Sequence, residues 1–446
     1  MRSTLLKTLL NRKTLLMGSG VLAFTTILSY ILGLFRDRLL ATTFGATRIL
    51  DTYNASFVLP DLILNIFVAG ALSAAFIPIF SQLLQKEDCE QMSEFMSSVL
   101  TSALIVVFVV GSLVFIFAPQ LSNFIVPGFS DAERSLYTSL TRILLLSPLL
   151  FAVSNTLGGI LVSKEKFFWF GISAPLYNLG IIGGIAFLSS QYGIFGAAYG
   201  ALAGALLHTL IRLPGIVRSG LRYRPRIRVT DYYKKFLRLM TPKMIGHPLE
   251  QITFLGYTII ASSLGAGSIA ILTFARNFQY APIAIIGINL ALTIFPTLSR
   301  EAASGDRKAF LSSLFFTLKT IIVTTGLSAI AIYIARFWLV GLLLGGGEFG
   351  TDAVALTASA LGIFTLAIPT ESVNQLLARA FYSLQNSVTP VVIGIIGLII
   401  AIGTGYIFSR TMGVNGLILG FFIGSVIKVL LLSILLKKEI RQKLSS

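Results

Sequence analysis

Two stretches about 220 residues apart resemble one another, and both set polar and charged residues into otherwise apolar sequence. Leu40–Gln82 reads LATTFGATRILDTYNASFVLPDLILNIFVAGALSAAFIPIFSQ, and Ile260–Arg300 reads IASSLGAGSIAILTFARNFQYAPIAIIGINLALTIFPTLSR. Gly45 and Gly265 open the copies, Pro60 and Pro282 sit mid-way, and Phe-(Ile)-Pro followed by Ser closes each. Internal duplication in a membrane protein builds two related lobes about a substrate path, so the pattern points to a transporter.

The background confirms the membrane setting. Hydrophobic residues make up 55% of the chain and charged residues 12%, and the mean hydropathy is +0.86. A water-soluble protein could not bury that much apolar surface, so an all-α polytopic membrane protein is predicted. Continuous rather than alternating apolar runs exclude a β-barrel. Uncharged runs such as Phe95–Ala118, Ile143–Ser163 and Ala380–Ser409 are long enough to cross. Hydropathy predicts about twelve spans, near 14–39, 51–82, 95–118, 136–163, 167–189, 193–214, 236–263, 267–298, 309–335, 353–383, 387–408 and 413–436. Several exceed the ~20 residues a bilayer needs, which implies tilt or kinks.

The net charge is +17, and its distribution argues against nucleic acid as a partner. With both termini in the cytoplasm, most Lys and Arg fall on that side, as the positive-inside rule requires. The central loop alone carries Arg218, Arg222, Arg224, Arg226, Arg228, Lys234, Lys235 and Arg238 against Asp231. Anionic membrane lipids are the natural partner for such a loop. Arg2–Lys13 precedes an apolar stretch that is too long for a signal peptide and carries the charges of Gly33–Asp37, so an uncleaved first span is expected. Cys89 is the sole cysteine, which rules out a disulfide within one chain.

The basic loop divides the chain into a lobe at 1–214, a cytoplasmic loop at 215–238 and a lobe at 239–446, six spans on each side. An even number of spans between copies makes the duplication parallel. Prolines at 60, 242, 248, 282 and 369 are candidates for kinks. Gly196, Gly200 and Gly204 share one helix face and suit close packing.

Catalytic constellations are poor: His208 and His247 lie in different lobes, and no metal-ligand spacing occurs. Neither an enzyme, a metal nor a cofactor is expected. Charges inside spans carry more information, because each costs about 2.5–3.5 kcal/mol at a helix centre unless it faces protein, water or ligand. The residues of interest are Arg36, Asp37, Asp51, Lys243, Glu250, Arg276, Glu371 and Arg379. Ion pairing within the bundle and a part in a cavity are both open for them.

At these residues the chain resembles the MurJ (MviN) lipid II flippases of the multidrug/oligosaccharidyl-lipid/polysaccharide exporter superfamily. The resemblance rests on SYILGLFRD at Ser29–Asp37, FG at Phe44–Gly45, Asp51, LP at Leu59–Pro60, GALSAAFIP at Gly70–Pro78 and PGF at Pro127–Phe129. GGILVSKEKF at Gly158–Phe167, APLYN at Ala174–Asn178, TIIAS at Thr258–Ser262, FPTLS at Phe295–Ser299, GEF at Gly347–Phe349 and AFYS at Ala380–Ser383 continue it in family order. The resemblance implies two six-helix lobes that alternate between inward- and outward-open states. It implies transport of an undecaprenyl-diphosphate-linked glycan, lipid II, from the cytoplasmic to the outer leaflet of the bacterial inner membrane. Cell-wall synthesis machinery is then an expected partner, and peptidoglycan biosynthesis and cell shape the expected process.

A diphosphate calls for arginine forks. By position, Arg36 and Asp37 match the family's Arg-Asp pair and Asp51 its acidic residue after Phe-Gly, while Arg276 and Asn277 stand where the family has Ala-Asp-Arg. Departures include Tyr30 in place of a cavity arginine and Tyr257 in place of a carboxylate thought to bind sodium. Lys243 and Arg276 are candidates to replace lost cations, and Glu250 and Glu371 to couple transport to protons or voltage. The family's two extra C-terminal helices are expected to be absent. Another polyprenyl-diphosphate glycan as cargo, or a transport-dead lipid-binding protein, are the alternatives.

Overall fold

The computed structural model describes residues 2–69, 75–246 and 248–444, without the side chains of 2–17, 19, 69, 218, 242, 243, 245 and 246. The described residues are almost wholly helical; no strand occurs among them, only a bridge between Gly346 and Phe349. Nine described helices are long and apolar enough to cross a bilayer. The other three predicted spans take different forms. Residues 193–214 hold the 17-residue helix Ile194–Leu210. The span at 236–263 is split into Asp231–Gly246 and Leu249–Ser262, with Pro248 in the turn. The span at 51–82 comes in pieces: Arg48–Ser56, Val58–Leu64, a π-helical turn at Asn65–Ala69, and Ile77–Gln85.

The second copy repeats this break. Ser268–Pro282 gives way at its closing proline to a π turn, Ile283–Ile288, before Asn289–Ala303 resumes. A proline lacks the N–H that an α-helix needs and clashes with the turn before it, so a widened turn beside it relieves both problems. Pro369, by contrast, lies inside the unbroken helix Thr351–Ser383.

Two compact units emerge. The first comprises Met1–Leu40, Ala55–Phe124 and Ser130–Gln251; the second comprises Ala41–Asn54, Ile125–Phe129 and Ile252–Ser446. The first unit's core contains Phe76, Phe80, Phe95 and Phe236, whose rings stack at 5.3 Å, 5.3 Å and, edge-on, 6.0 Å. Burial of each such ring stabilises by roughly 1.5–3 kcal/mol. The second unit packs Phe310, Leu376, Phe381 and Leu436 into its own core.

Each unit also contains a tight helical hairpin. Ser173–Tyr192 turns into Ile194–Leu210 at Gly193, with φ 55° and ψ −134°. Val388–Met412 turns into Val414–Lys443 at Gly413, with φ 58° and ψ −135°. That backbone conformation favours glycine. Beyond the turns the helices touch through small residues. A methyl group on Gly184 would strike the backbone of Gly200, and one on Gly420 would strike Gly405. The Gly196, Gly200 and Gly204 face is therefore a packing face, and the second hairpin has its counterpart in Gly416, Gly420 and Gly424.

Candidate functional site

The segment Ala41–Asn54 leaves the first helix, Arg2–Phe44, and packs wholly within the second unit. Gly45 makes the corner at φ +66°, and a side chain there would collide with the Glu348 carbonyl. In the second copy the matching left-handed residue is Gly267, φ +83°, rather than Gly265. Two helices start from these corners, Arg48–Ser56 and Ser268–Pro282.

Both ends of the turn between Leu249–Ser262 and Ser268–Pro282 are gripped by the first of these helices. Arg48 donates to the Ser262 and Leu264 carbonyls at 3.0 and 2.5 Å, oxygens left without partners at the end of a helix. Asp51, fully buried, accepts from the Gly267 and Ala270 amides, both at 2.8 Å. A cation thus meets a helix C-terminus and an anion a helix N-terminus, the arrangement the macrodipole favours. Arg48 and Asp51 lie 3.6 Å from one another, and Arg48 also stacks over Phe129 at 5.2 Å.

Other motifs meet at the same place. The Gly128 amide of PGF donates to Ser262 Oγ at 3.2 Å, and a side chain at Gly128 would overlap the Ser262 backbone. The Glu348 amide of GEF donates to the Thr42 carbonyl at 3.0 Å, while Phe349 packs edge-on against Phe274 at 5.8 Å. FG, Asp51, PGF, TIIAS and GEF, scattered along the sequence, therefore form one polar knot. Asp51 is expected from sequence in the cargo path; here both its carboxylate oxygens serve as helix caps.

A second cluster belongs to the first unit. Arg36 donates to Asp37 Oδ1 from Nε and Nη2, at 3.0 and 2.7 Å, and to Asn178 Oδ1 at 3.0 Å. Asn178 in turn donates to the Ser29 carbonyl and hydroxyl at 3.1 and 3.3 Å. Ser29, Gly33 and Arg36 lie on one face of their helix, and Gly33 leaves the room Asn178 occupies. The guanidinium is held from two sides, yet its side chain keeps 23% of its surface open. Asn178 closes the APLYN motif but has no assigned role in the sequence, where nothing connects it to Arg36.

The second unit has further charges. Arg276 lies over the Phe254 ring at 3.5 Å, two turns along the helix that Asp51 caps; Asn277 beside it is half-buried. Glu371 accepts from Lys428 at 2.8 Å and from Asn374 at 3.4 Å, while Asn374 reaches the Ser425 hydroxyl at 3.3 Å. Lys428 is not among the charges singled out in the sequence. Tyr257 is buried and donates to the Ala401 carbonyl at 3.2 Å. Glu250 is exposed, and the Lys243 side chain lies outside the described residues. The sites thus divide: Arg36, Asp37 and Glu250 fall in the first unit, Asp51, Arg276, Asn277 and Glu371 in the second.

Sequence reading also misses Arg212. It is 4% exposed, donates to the Ser154 carbonyl and Ser173 hydroxyl, and stacks on Phe170 at 4.9 Å. Gly158, in GGILVSKEKF, is small because a side chain would meet that guanidinium. His208 shares a hydrogen bond of 2.8 Å with Ser154 beside it. Among the described residues no three His, Cys, Asp or Glu side chains gather as metal ligands would.

Long helices broken at matching points and a cross-gripped pair of helix ends define a multi-pass membrane protein of the exporter-superfamily fold. An inward-facing multidrug-resistance MATE transporter of the MOP superfamily superposes with a TM-score of 0.78 over 93% of this chain and 94% of its own, at 16% identity. An inward-closed structure titled lipid II flippase MurJ superposes with a TM-score of 0.80 over 95% of this chain and 89% of its own, at 26% identity. Residues 40–445 match the family model described as lipid II flippase MurJ, and the chain belongs to that family. Relatives include the lipid II flippase MurJ of Burkholderia cenocepacia, 27% identical over 93% of this chain and 82% of its own. The probable lipid II flippase MurJ of Thermotoga maritima is 28% identical over 97% of this chain and 87% of its own.

Proposed function

We propose that this chain flips lipid II from the cytoplasmic to the outer leaflet of the bacterial inner membrane by alternating access, without covalent chemistry. Family membership supports the cargo. The positive-inside bias supports an orientation with both termini and the Arg222–Arg228 loop in the cytoplasm. The lobes that alternate are 1–214 and 239–446, joined by 215–238.

The observation that carries the site assignment is the posture of Arg36. Asp37 and Asn178 fix its plane while leaving part of the guanidinium open, which suits a fork for a diphosphate oxygen. In this reading Arg36 and Arg276 compensate the diphosphate, one from each lobe, with Asp37, Asn277 and Lys243 around them. Asp51 acts on the cycle rather than on the cargo: its grip on the Ser268–Pro282 helix makes a latch that holds one closed state. Glu250 and Glu371 are the groups through which protons or voltage bias the exchange.

Complementation of a strain depleted of its own lipid II flippase, with lipid II exposure at the outer leaflet measured directly, tests the reading. Restored exposure supports it. Normal membrane insertion without exposure overturns it in favour of a transport-dead lipid-binding protein, and exposure of a different polyprenyl-linked glycan overturns the cargo.

A further inference from the structure

The run Arg222-Tyr-Arg-Pro-Arg-Ile-Arg228 puts an arginine at every second position. It lies along the first turns of the helix Cys89–Ile125, fastened by serines of that helix. The amides of Arg222, Arg224 and Arg228 donate to the hydroxyls of Ser93, Ser97 and Ser98 at 3.2, 3.0 and 3.0 Å. Arg226 and Arg228 both reach Glu94 Oε1. A cleft of about 270 Å³ opens between strap and helix, lined by Arg222, Arg224, Arg226, Glu90 and Glu94 among others.

Three observations bear on what the cleft receives. Glu94 is already taken by two guanidinium groups, whereas Arg222 and Arg224 are exposed and form no ion pair among the described residues. Glu94 is also the last charged residue before Asp131, so the cleft stands where the helix passes from water into hydrocarbon. The residues between the arginines are apolar or aromatic and open: Tyr223 is 46% exposed, Ile227 42% and Val229 63%. Arginine forks beside apolar side chains at that depth match a phosphate under which acyl chains begin.

We propose that this cleft binds the headgroup of an anionic phospholipid, with Arg222 and Arg224 on the phosphate and Tyr223, Ile227 and Val229 set into the acyl boundary. The leaflet concerned follows from the orientation proposed above; the binding itself does not depend on it. Bound lipid gives the strap a fixed depth at the membrane surface.

Cys89, the sole cysteine, is exposed and lines the cleft. The full chain, labelled there with an environment-sensitive fluorophore in detergent micelles, is titrated with phosphatidylglycerol, with phosphatidylcholine and with inorganic phosphate. Phosphatidylglycerol is expected to shift the emission saturably and to bind more weakly as salt rises, an effect that needs no variant. The Arg222→Gln/Arg224→Gln pair is expected to weaken that titration about tenfold or more, since each basic residue near an anionic surface contributes measurably. Wild-type-like titration of the double variant overturns the proposal, as does an equal response to phosphatidylcholine, or saturation by inorganic phosphate alone. Labelling of a cysteine at Ser219 in a Cys89→Ser background, from either side of the cell membrane, tests the orientation separately.

Discussion

Arg48 and Asp51 stand one helical turn apart and hold opposite ends of two successive helices, the arginine on the carbonyls of Ser262 and Leu264, the aspartate on the amides of Gly267 and Ala270. Neither interaction is readily replaced by water, because Asp51 is fully buried. The pair therefore fixes the geometry of the turn through which Leu249–Ser262 passes into Ser268–Pro282.

Asp51→Ala is expected to destabilise the protein by about 2–3 kcal/mol, since two buried amides lose their acceptor and the helix its anionic cap. Asp51→Asn keeps one acceptor and is expected to lose about half as much. Thermal unfolding in detergent measures both. Identical melting of Asp51→Ala and wild type would remove the latch.

Arg36→Ala and Arg276→Ala are each expected to abolish complementation while inserting normally. Lysine restores it only in part, because it keeps the charge and loses the planar fork. Full complementation by both alanine variants at normal expression would make these arginines structural partners of Asp37 and Phe254.

Flipping is expected to respond to the proton-motive force and not to sodium at constant membrane potential. The Tyr257 hydroxyl, engaged by the Ala401 carbonyl, stands where a carboxylate would be needed, and a hard cation prefers charged oxygen ligands. Strict sodium dependence in reconstituted vesicles would contradict this.

Gly200→Leu and Gly420→Leu are expected to destabilise their hairpins by roughly 1–3 kcal/mol or to prevent folding, because neither helix backbone can withdraw. Gly111→Leu, where a side chain meets open space, serves as the control. Expression and melting temperature separate the three.

Two lysines outside the spans should titrate in opposite directions. Burial, and then the neighbouring Lys166 charge, hold Lys164 below the ordinary lysine value, whereas a hydrogen bond from Lys86 to Tyr232 raises Lys86. Lys86 thus contributes stability that is present below its unfolded value and lost as pH rises through its higher folded value. For Lys164 the sign reverses: its strain persists below the lowered value and lifts as pH rises through the unfolded one. Mass spectrometry of acetylation against pH should find Lys164 reactive at lower pH than Lys86. The opposite order would refute the assignment.

Much of the architecture is legible in the sequence because hydrophobic runs report spans directly, and the duplication reports that two halves share a plan. The small-residue face at Gly196, Gly200 and Gly204 is legible for the same reason, being a local pattern. Partnerships are not. A charge in an apolar run announces that something compensates it, yet Glu371 gives no hint of Lys428, nor Arg36 of Asn178, since each pair meets only through helix packing. Asp51 is the instructive case: its acidity marks it as important, but backbone amides, which have no sequence signature, are its partners. The split of the span at 51–82 hides for a similar reason, because hydropathy is blind to how many residues a turn contains.

The π turns at Asn65–Ala69 and Ile283–Ile288 bear on how this chain can evolve. A π turn contains an extra residue relative to the α turn it replaces, so removing one residue there heals the helix but rotates everything beyond it by about 100°. Deleting one residue between Pro282 and Asn289 would swing buried Ala291 and Leu298 out of the core. Single-residue gaps in these two places are thus changes of helical face, unlike gaps in loops, and lineages that carry them should show compensating exchanges of apolar and polar positions downstream.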